Sequence, residues 1–189
     1  MEFFKKRQNA SIIFIVVVIL FSLIGCHISL TKACDKIEEA FFDKTQLSAE
    51  GYYTCPGDQL ENCVKYANRL LSVINGADWS GDVYTALAQA RQALSDALDD
   101  GDISDIYDAN QELIAAVEAV EELVNAGAVL PESSDDYETI LSDFYSAQSV
   151  AANSAYNDYV DQFASTTLRA FPTNILRRLA FVSAPEKFE

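Results

Sequence analysis

The chain has 189 residues, of which 29 are acidic and 13 basic, for a formal net charge of −16. That balance disfavours nucleic acid as a partner and repels anionic lipid headgroups from most of the surface. A single histidine, His27, is too little for a Ser-His-Asp arrangement or a histidine-built metal site.

At the N-terminus Lys5, Lys6 and Arg7 precede an apolar run from Ile12 to Ile24, thirteen residues interrupted only by Ser22. A run of that size is typical of a signal-peptide core and short for the ~30 Å of a bilayer's hydrocarbon. The positive charges are expected to stay in the cytoplasm, with everything after about residue 30 outside it. The run closes in Leu23-Ile24-Gly25-Cys26, which resembles the lipobox of bacterial lipoproteins. That resemblance implies cleavage before Cys26 and acylation of its thiol and new amino group, small Gly25 suiting the peptidase. The other reading is an uncleaved transmembrane anchor from Ser11 to Leu30. In both, residues 1–30 form a signal or anchor segment, and His27 falls at headgroup level.

Residues 31–189 form one domain by length, with room for a sizeable core. They hold 10 basic and 28 acidic residues, net −18, which suits an exposed domain kept soluble near a membrane. The cysteines are Cys26, Cys34, Cys55 and Cys63, and outside the cytoplasm disulfides are allowed. A Cys55–Cys63 bridge would pin the loop around Cys55-Pro56-Gly57, while Cys34 bonded to either would tie the first helix to the second. The spacing leaves both open, and no C-x-x-C pair points to a metal.

The rest reads as helix throughout, rich in Ala, Leu, Glu, Gln and Asp and without β-branched alternation. The first helix is predicted to continue from the membrane through Phe42 and to end before Gly51, followed by a polar loop from Ser48 to Gly57. A second, roughly Asp58 to Ile74, places Leu60, Val64, Ala67 and Leu71 on one stripe, and Asn75-Gly76 suits a left-handed cap. Trp79 is read as a plug in the next corner. A third helix, Asp82 to Leu98, buries Val83, Leu87, Ala90 and Leu94. After Asp99-Asp100-Gly101-Asp102 a fourth runs to about Asn125, with Ile106, Leu113, Ile114, Val117, Val120 and Val124 inward. Gly127 and Pro131 then break the chain. Ser134 begins a long last helix with Tyr137, Leu141, Phe144, Ala151, Ala155, Tyr159 and Phe163 near one face; unbroken to Ala170 it would span roughly 55 Å. Phe171 before Pro172 stops it. The predicted fold is all-α, an antiparallel bundle of four to five helices with a long C-terminal helix, behind an N-terminal membrane anchor.

From Tyr137 to Glu189 the chain resembles the LemA family of bacterial membrane-anchored helical-bundle proteins. Tyr156-Asn157 followed by Val160, then Phe171-Pro172-Thr173-Asn174-Ile175, and the closing Phe188-Glu189 carry the resemblance. Ser29-Leu30 and Glu39-Ala40-Phe41 are similar to the start of the family's first helix. In the middle the family's basic stretch leading to Leu-Ile-Pro-Asn-Leu is not found; Cys55 to Cys63 and Leu60-Glu61-Asn62 stand there. Arg177-Arg178 also occupies a place where many members have small residues. The resemblance implies a bundle displayed outside the cytoplasm and no established reaction.

Candidate chemistry is sparse. Between Asp96 and Asp108, Asp99, Asp100, Asp102, Asp105 and Asp108 crowd Gly101, but an EF-hand register with Gly101 sixth puts Asp96 first, Leu98 third and Tyr107 twelfth, so a solvated connector whose acids cap the next helix is expected. Glu118, Glu121 and Glu122 lack the Glu-x-x-His partners of di-iron bundles. No G-x-S-x-G or phosphate loop occurs. Tyr145, Tyr156 and Tyr159 read as helix-seam residues with hydroxyls reaching outward. Arg169, Arg177 and Arg178 either neutralise helix C-terminal carbonyls, fold back on acidic helices, or touch anionic lipid. The expected protein is non-enzymatic, without cofactor or metal, partnered with the membrane and unidentified proteins, and self-association is left open. The expected role is a surface scaffold. The alternative is an extracytoplasmic sensor or small-ligand-binding bundle, which needs a separate signalling partner because little chain precedes the anchor.

Overall fold

A computed structural model describes residues 7–43, 54–74, 81–127, 131 and 133–189. Asn75-Gly76, Trp79 and residues 44–53 lie outside them. Among the described residues there are helices and connectors and no strand. The chain divides into two compact units: one holds the described residues up to Glu38 together with Asp158–Pro185, the other Glu39–Asn157 together with Glu186–Glu189.

The larger unit is the helical bundle. Helix α2 (Pro56–Ile74) opens with proline at its first position, where no N–H is needed. It buries Leu60, Cys63, Ala67, Leu70, Leu71 and Ile74 at three- and four-residue steps. Cys63 and Leu70 carry the stripe where Val64 was expected to; Val64 is half-buried. Helix α3 (Asp82–Asp100) turns Leu87, Ala90, Leu94 and Ala97 inward and ends at Gly101, whose φ of 82° needs a residue without Cβ. The Gly101 N–H donates to the Ala97 carbonyl at 2.9 Å, closing the last turn. Asp102 then caps α4 (Ile103–Asn125), its carboxylate accepting from the Asp105 N–H at 3.1 Å. The Ser133 hydroxyl does the same for α5 (Ser134–Ala152) through the Asp136 N–H at 3.3 Å. Helix α2 packs on α5 and α3, and α3 packs on α4. Of the acids around this connector, Asp102 is the cap, Asp99 and Asp100 close α3, and Asp105 and Asp108 lie within α4.

The single long rod expected from Ser134 to Ala170 is instead three pieces. Helix α5 stops at Ala152; Asn153 leaves helical geometry (φ −95°, ψ 16°). Its side-chain amide donates to the Ser149 carbonyl at 2.7 Å, beside the backbone N–H of the same residue at 3.0 Å, a side-chain bond that favours a helix end. Helix α6 (Tyr156–Phe163) follows and runs into a π-helical turn, Ala164–Leu168. Ala155, expected on the buried face, is exposed as a result of the break.

Helix α1 (Arg7–Phe42), 36 residues long, belongs to the smaller unit through Glu38, and its last turn to the larger. By length and composition it is long and apolar enough to cross a membrane. Its side chains from Ile12 through Ile24 are open or half-open to the surroundings. After the stop at Phe171-Pro172 a short helix, α7 (Thr173–Leu179), turns the chain. Leu30 and Cys34 of α1 pack with Leu168, Ala180 and Val182, and Cys26 and Phe163 lean on that cluster.

Candidate functional site

The motif residues are sorted into two places. Tyr156, Asn157 and Phe188 come together in the bundle unit and clasp the C-terminal tail. The Asn157 amide donates to the Phe188 carbonyl and accepts from the Phe188 N–H, both at 2.9 Å. The Tyr156 hydroxyl donates to the Glu186 carbonyl at 2.7 Å. Phe41 closes the clasp, its ring centroid 5.2 Å from that of Tyr156 and 5.3 Å from that of Phe188; Tyr107 meets Phe188 edge-on at 5.4 Å. Phe41 and Tyr156 are fully buried. Gly57 sits beneath, where a Cβ would come within 3.1 Å of the Phe41 carbonyl oxygen. All these contacts bury rings or satisfy backbone groups, so the clasp holds chain ends and offers no free reactive group.

Phe171, Pro172 and Asn174 belong to the smaller unit. Asn174 lines an open cleft of about 410 Å³ with Leu168, Arg169, Arg177 and Arg178. No acid lines it, and among the described residues none of the three guanidiniums is ion-paired. Beside it Phe171 is 82% and Phe181 90% exposed, and Ile175 and Leu179 are about half open. Phe181 also has a φ of 55°, the left-handed region that a bulky residue seldom occupies. The expectation that Arg177 and Arg178 neutralise a helix end fits their place in the last turn of α7. Ile175, Leu179 and Phe181 had no such reading; the signal for them was a run of 24 residues, 162–185, with three arginines and no acid in a strongly acidic chain.

The cysteines are not bridged. The Cys55 thiol donates to the Phe41 carbonyl at 2.6 Å, whereas Cys63 points at the Phe144 carbonyl, 4.0 Å away. The Cys55–Cys63 bond considered from sequence is therefore not formed, because the two side chains face different partners; none of the four cysteines is in a disulfide. Burial pushes the Cys63 thiol up to about 12, so it stays protonated. Cys34 lies 3.6 Å from the Ser183 carbonyl. Cys26 is half-buried against the cluster of Leu30, Cys34 and Ala180.

Two polar pairs lie inside the bundle. Asn110, only 2% exposed, exchanges two hydrogen bonds with Gln148, at 3.0 and 2.6 Å. The Tyr145 hydroxyl donates to the Glu121 carboxylate at 2.8 Å, and burial followed by that contact raises its pKa. Tyr137, its hydroxyl buried without a partner among the described residues, is pushed up to about 12 by burial and then by Glu121. Among the described residues no group of three or more His, Cys, Asp or Glu side chains converges on a metal-sized space. Compared with family models, curated proteins and solved structures, the chain matches none of them.

Proposed function

We propose that this chain is a membrane-anchored, non-enzymatic helical bundle of LemA type, held outside the cytoplasm and working as a scaffold through protein contacts. One observation carries the reading. Helix α1 starts as an exposed apolar run and ends at Ala40 and Phe41, both shut away from water in the bundle unit. A helix with that change of character along its length suits a tether for a folded domain. The bundle's helices, short connectors and capped ends suit an antiparallel arrangement. Its acidic surface favours cationic or neutral partner faces and keeps the domain from lying flat on anionic lipid. The N-terminal charges favour a cytoplasmic start, with either a retained α1 or an acylated Cys26 as the anchor.

Cross-linking of the full-length chain on intact cells, followed by mass spectrometry, tests this reading. Discrete cross-linked products made through the bundle's surface lysines, such as Lys65, are expected. A chain that stays a solitary monomer, or that fractionates with the cytosol, overturns it. The mass of the mature protein separates the two anchors: loss of residues 1–25 with added acyl mass means lipidation at Cys26.

A further inference from the structure

The large apolar side chains left in the open are concentrated. Apart from α1 and Val150 (38% exposed), those among the described residues are Phe171, Ile175, Leu179 and Phe181. An exposed patch of this kind marks a binding surface rather than ordinary surface wear. Its neighbours are Arg169, Arg177 and Arg178, which open onto a cleft of about 410 Å³ with Asn174. Aromatic and aliphatic tips beside arginines are the pattern of a segment lying in a membrane interface. Resting on the membrane-anchored reading above, we infer that residues 169–181 form a foot that sits in the bilayer interface and receives anionic phospholipid headgroups in the arginine cleft.

The height of this segment is fixed within its own unit. The His27 imidazole meets the Ala180 carbonyl through Nδ1 at 2.9 Å, and Cys34 reaches the Ser183 carbonyl. His27 follows Ile24, the last residue of the apolar run, by three positions, roughly 4.5 Å along a helix. The headgroup layer outside the hydrocarbon is about 5–7 Å deep on each side. Ala180 and its neighbour Phe181 therefore lie at headgroup depth when the hydrocarbon ends at Ile24. An anchor extended to Leu30 lowers them toward the acyl chains. Cleavage and acylation at Cys26 give the same level, because Cys26 adjoins His27 and leans on the cluster holding Ala180 and Val182. All three geometries put the patch against lipid.

Charge selects the lipid. The chain is −16 overall, yet residues 162–185 contain three arginines and no acid. Guanidinium groups match phosphate oxygens in pairs and are weakly hydrated, so they suit a phosphodiester in a partly dry cleft. A second copy's acidic bundle would pair with the arginines but bring charge rather than apolar surface against the four exposed tips, so lipid, which offers both, fits better.

Depth-dependent fluorescence quenching on the full-length chain tests the inference. A single tryptophan is placed by Phe181→Trp, or independently by Phe171→Trp, in a Trp79→Phe background. The chain is reconstituted in phosphatidylcholine vesicles with and without phosphatidylglycerol, and helicity is checked by circular dichroism. Lipids brominated near the headgroup are expected to cut the emission roughly twofold, and lipids brominated deep in the chain much less. Phosphatidylglycerol should increase the effect, and Arg169→Gln with Arg177→Gln and Arg178→Gln should remove that increase. Inorganic phosphate added to phosphatidylcholine vesicles should not substitute for phosphatidylglycerol; if it does, the cleft is a free-phosphate site and the headgroup assignment is wrong. Unquenched tryptophan in a chain that still floats with vesicles after carbonate washing overturns the foot and leaves the anchor standing. A chain that does not float overturns the anchored reading itself. Emission that shifts with protein concentration instead of bromine position assigns the patch to a second copy.

Discussion

In the bundle, Phe144, Leu60, Leu87 and Leu113 are almost wholly withdrawn from water, whereas on and around α7 Phe171, Ile175, Leu179 and Phe181 stand open. Both regions use the same kinds of side chain. The difference lies in spacing and partners: α2 through α5 repeat their apolar residues over several turns and face other helices. Helix α7 has only seven residues, too few to hide an apolar stripe on its own. What surrounds it in the cell then decides how exposed its side chains are. Apolar content alone therefore does not separate core from interface; the length of the repeating pattern does.

The sharpest way to break this contrast is to truncate one large apolar side chain from each side. Phe144→Ala removes an almost wholly buried side chain of α5 and is expected to cost about 3–5 kcal/mol, through lost transfer energy and the cavity left behind. Leu179→Ala is expected to stay within about 0.5 kcal/mol. Denaturant unfolding of the vesicle-reconstituted chain, followed by circular dichroism, measures both. Equal losses would mean that α7 is packed as a core element.

The tail clasp should come next in size. Asn157→Ala strips both hydrogen bonds from the Phe188 backbone, at an expected cost of about 1–3 kcal/mol. Asn157→Asp keeps the acceptor for the Phe188 N–H and loses the donor, so its cost should be smaller. Hydrogen exchange at Phe188 reads the effect locally: faster exchange in the alanine variant, with α3 unchanged, places the clasp as a local lock.

Alkaline pH probes the core in a further way. The folded chain holds the Cys63 proton more tightly than the unfolded chain, which titrates near 9.0 against about 12 when folded. As pH rises above 9 the unfolded state loses its proton first. Stability should therefore fall through the window from 9 to 12, with a slope of at most about 1.4 kcal/mol per pH unit from this group. Tyr137, raised from 10.0 to about 12, adds to the same trend. Cys63→Ala should flatten the slope measured between pH 9 and 10, whatever its cost at neutral pH. An unchanged slope would remove Cys63 as the cause.

The limits of α2, α3 and α4 were readable from sequence to within about two residues because capping chemistry and a sustained apolar period agree there. Gly101 and Asp102 announce a stop and a start in plain succession. The break after α5 was not readable. Ala151, Ala152 and Ala155 favour helix, and the stop coincides with the Asn153 amide bonding the Ser149 carbonyl, a local contact that leaves no mark on the apolar period. Of the six motif and resemblance residues, Tyr156, Asn157 and Phe188 converge. Phe171, Pro172 and Asn174 do not, since α6 and the π-helical turn carry the chain into another unit. The arginine cleft was half visible: the charges stood out, but α7 is too short to register as a period, so the open apolar tips around them did not.

The smallest expected effect is the most pointed, because it separates what is good for folding from what is good for docking. Phe181 holds a φ of 55° with its ring 90% exposed. In water this is unfavourable twice over, since a left-handed backbone costs a residue with Cβ about 1–2 kcal/mol and the ring gains no burial. Phe181→Gly relieves the backbone but adds freedom to the unfolded chain, so a net gain of about 0.5–1 kcal/mol is expected in detergent-free soluble conditions of low lipid content. The same change should loosen the segment from vesicles, read as increased protease cleavage between residues 169 and 185 in reconstituted chain. A stability gain together with lost protection means that the phenylalanine is kept for contact with lipid. A stability loss with protection unchanged means that the ring packs within the protein, and the division between the two regions drawn here would disappear.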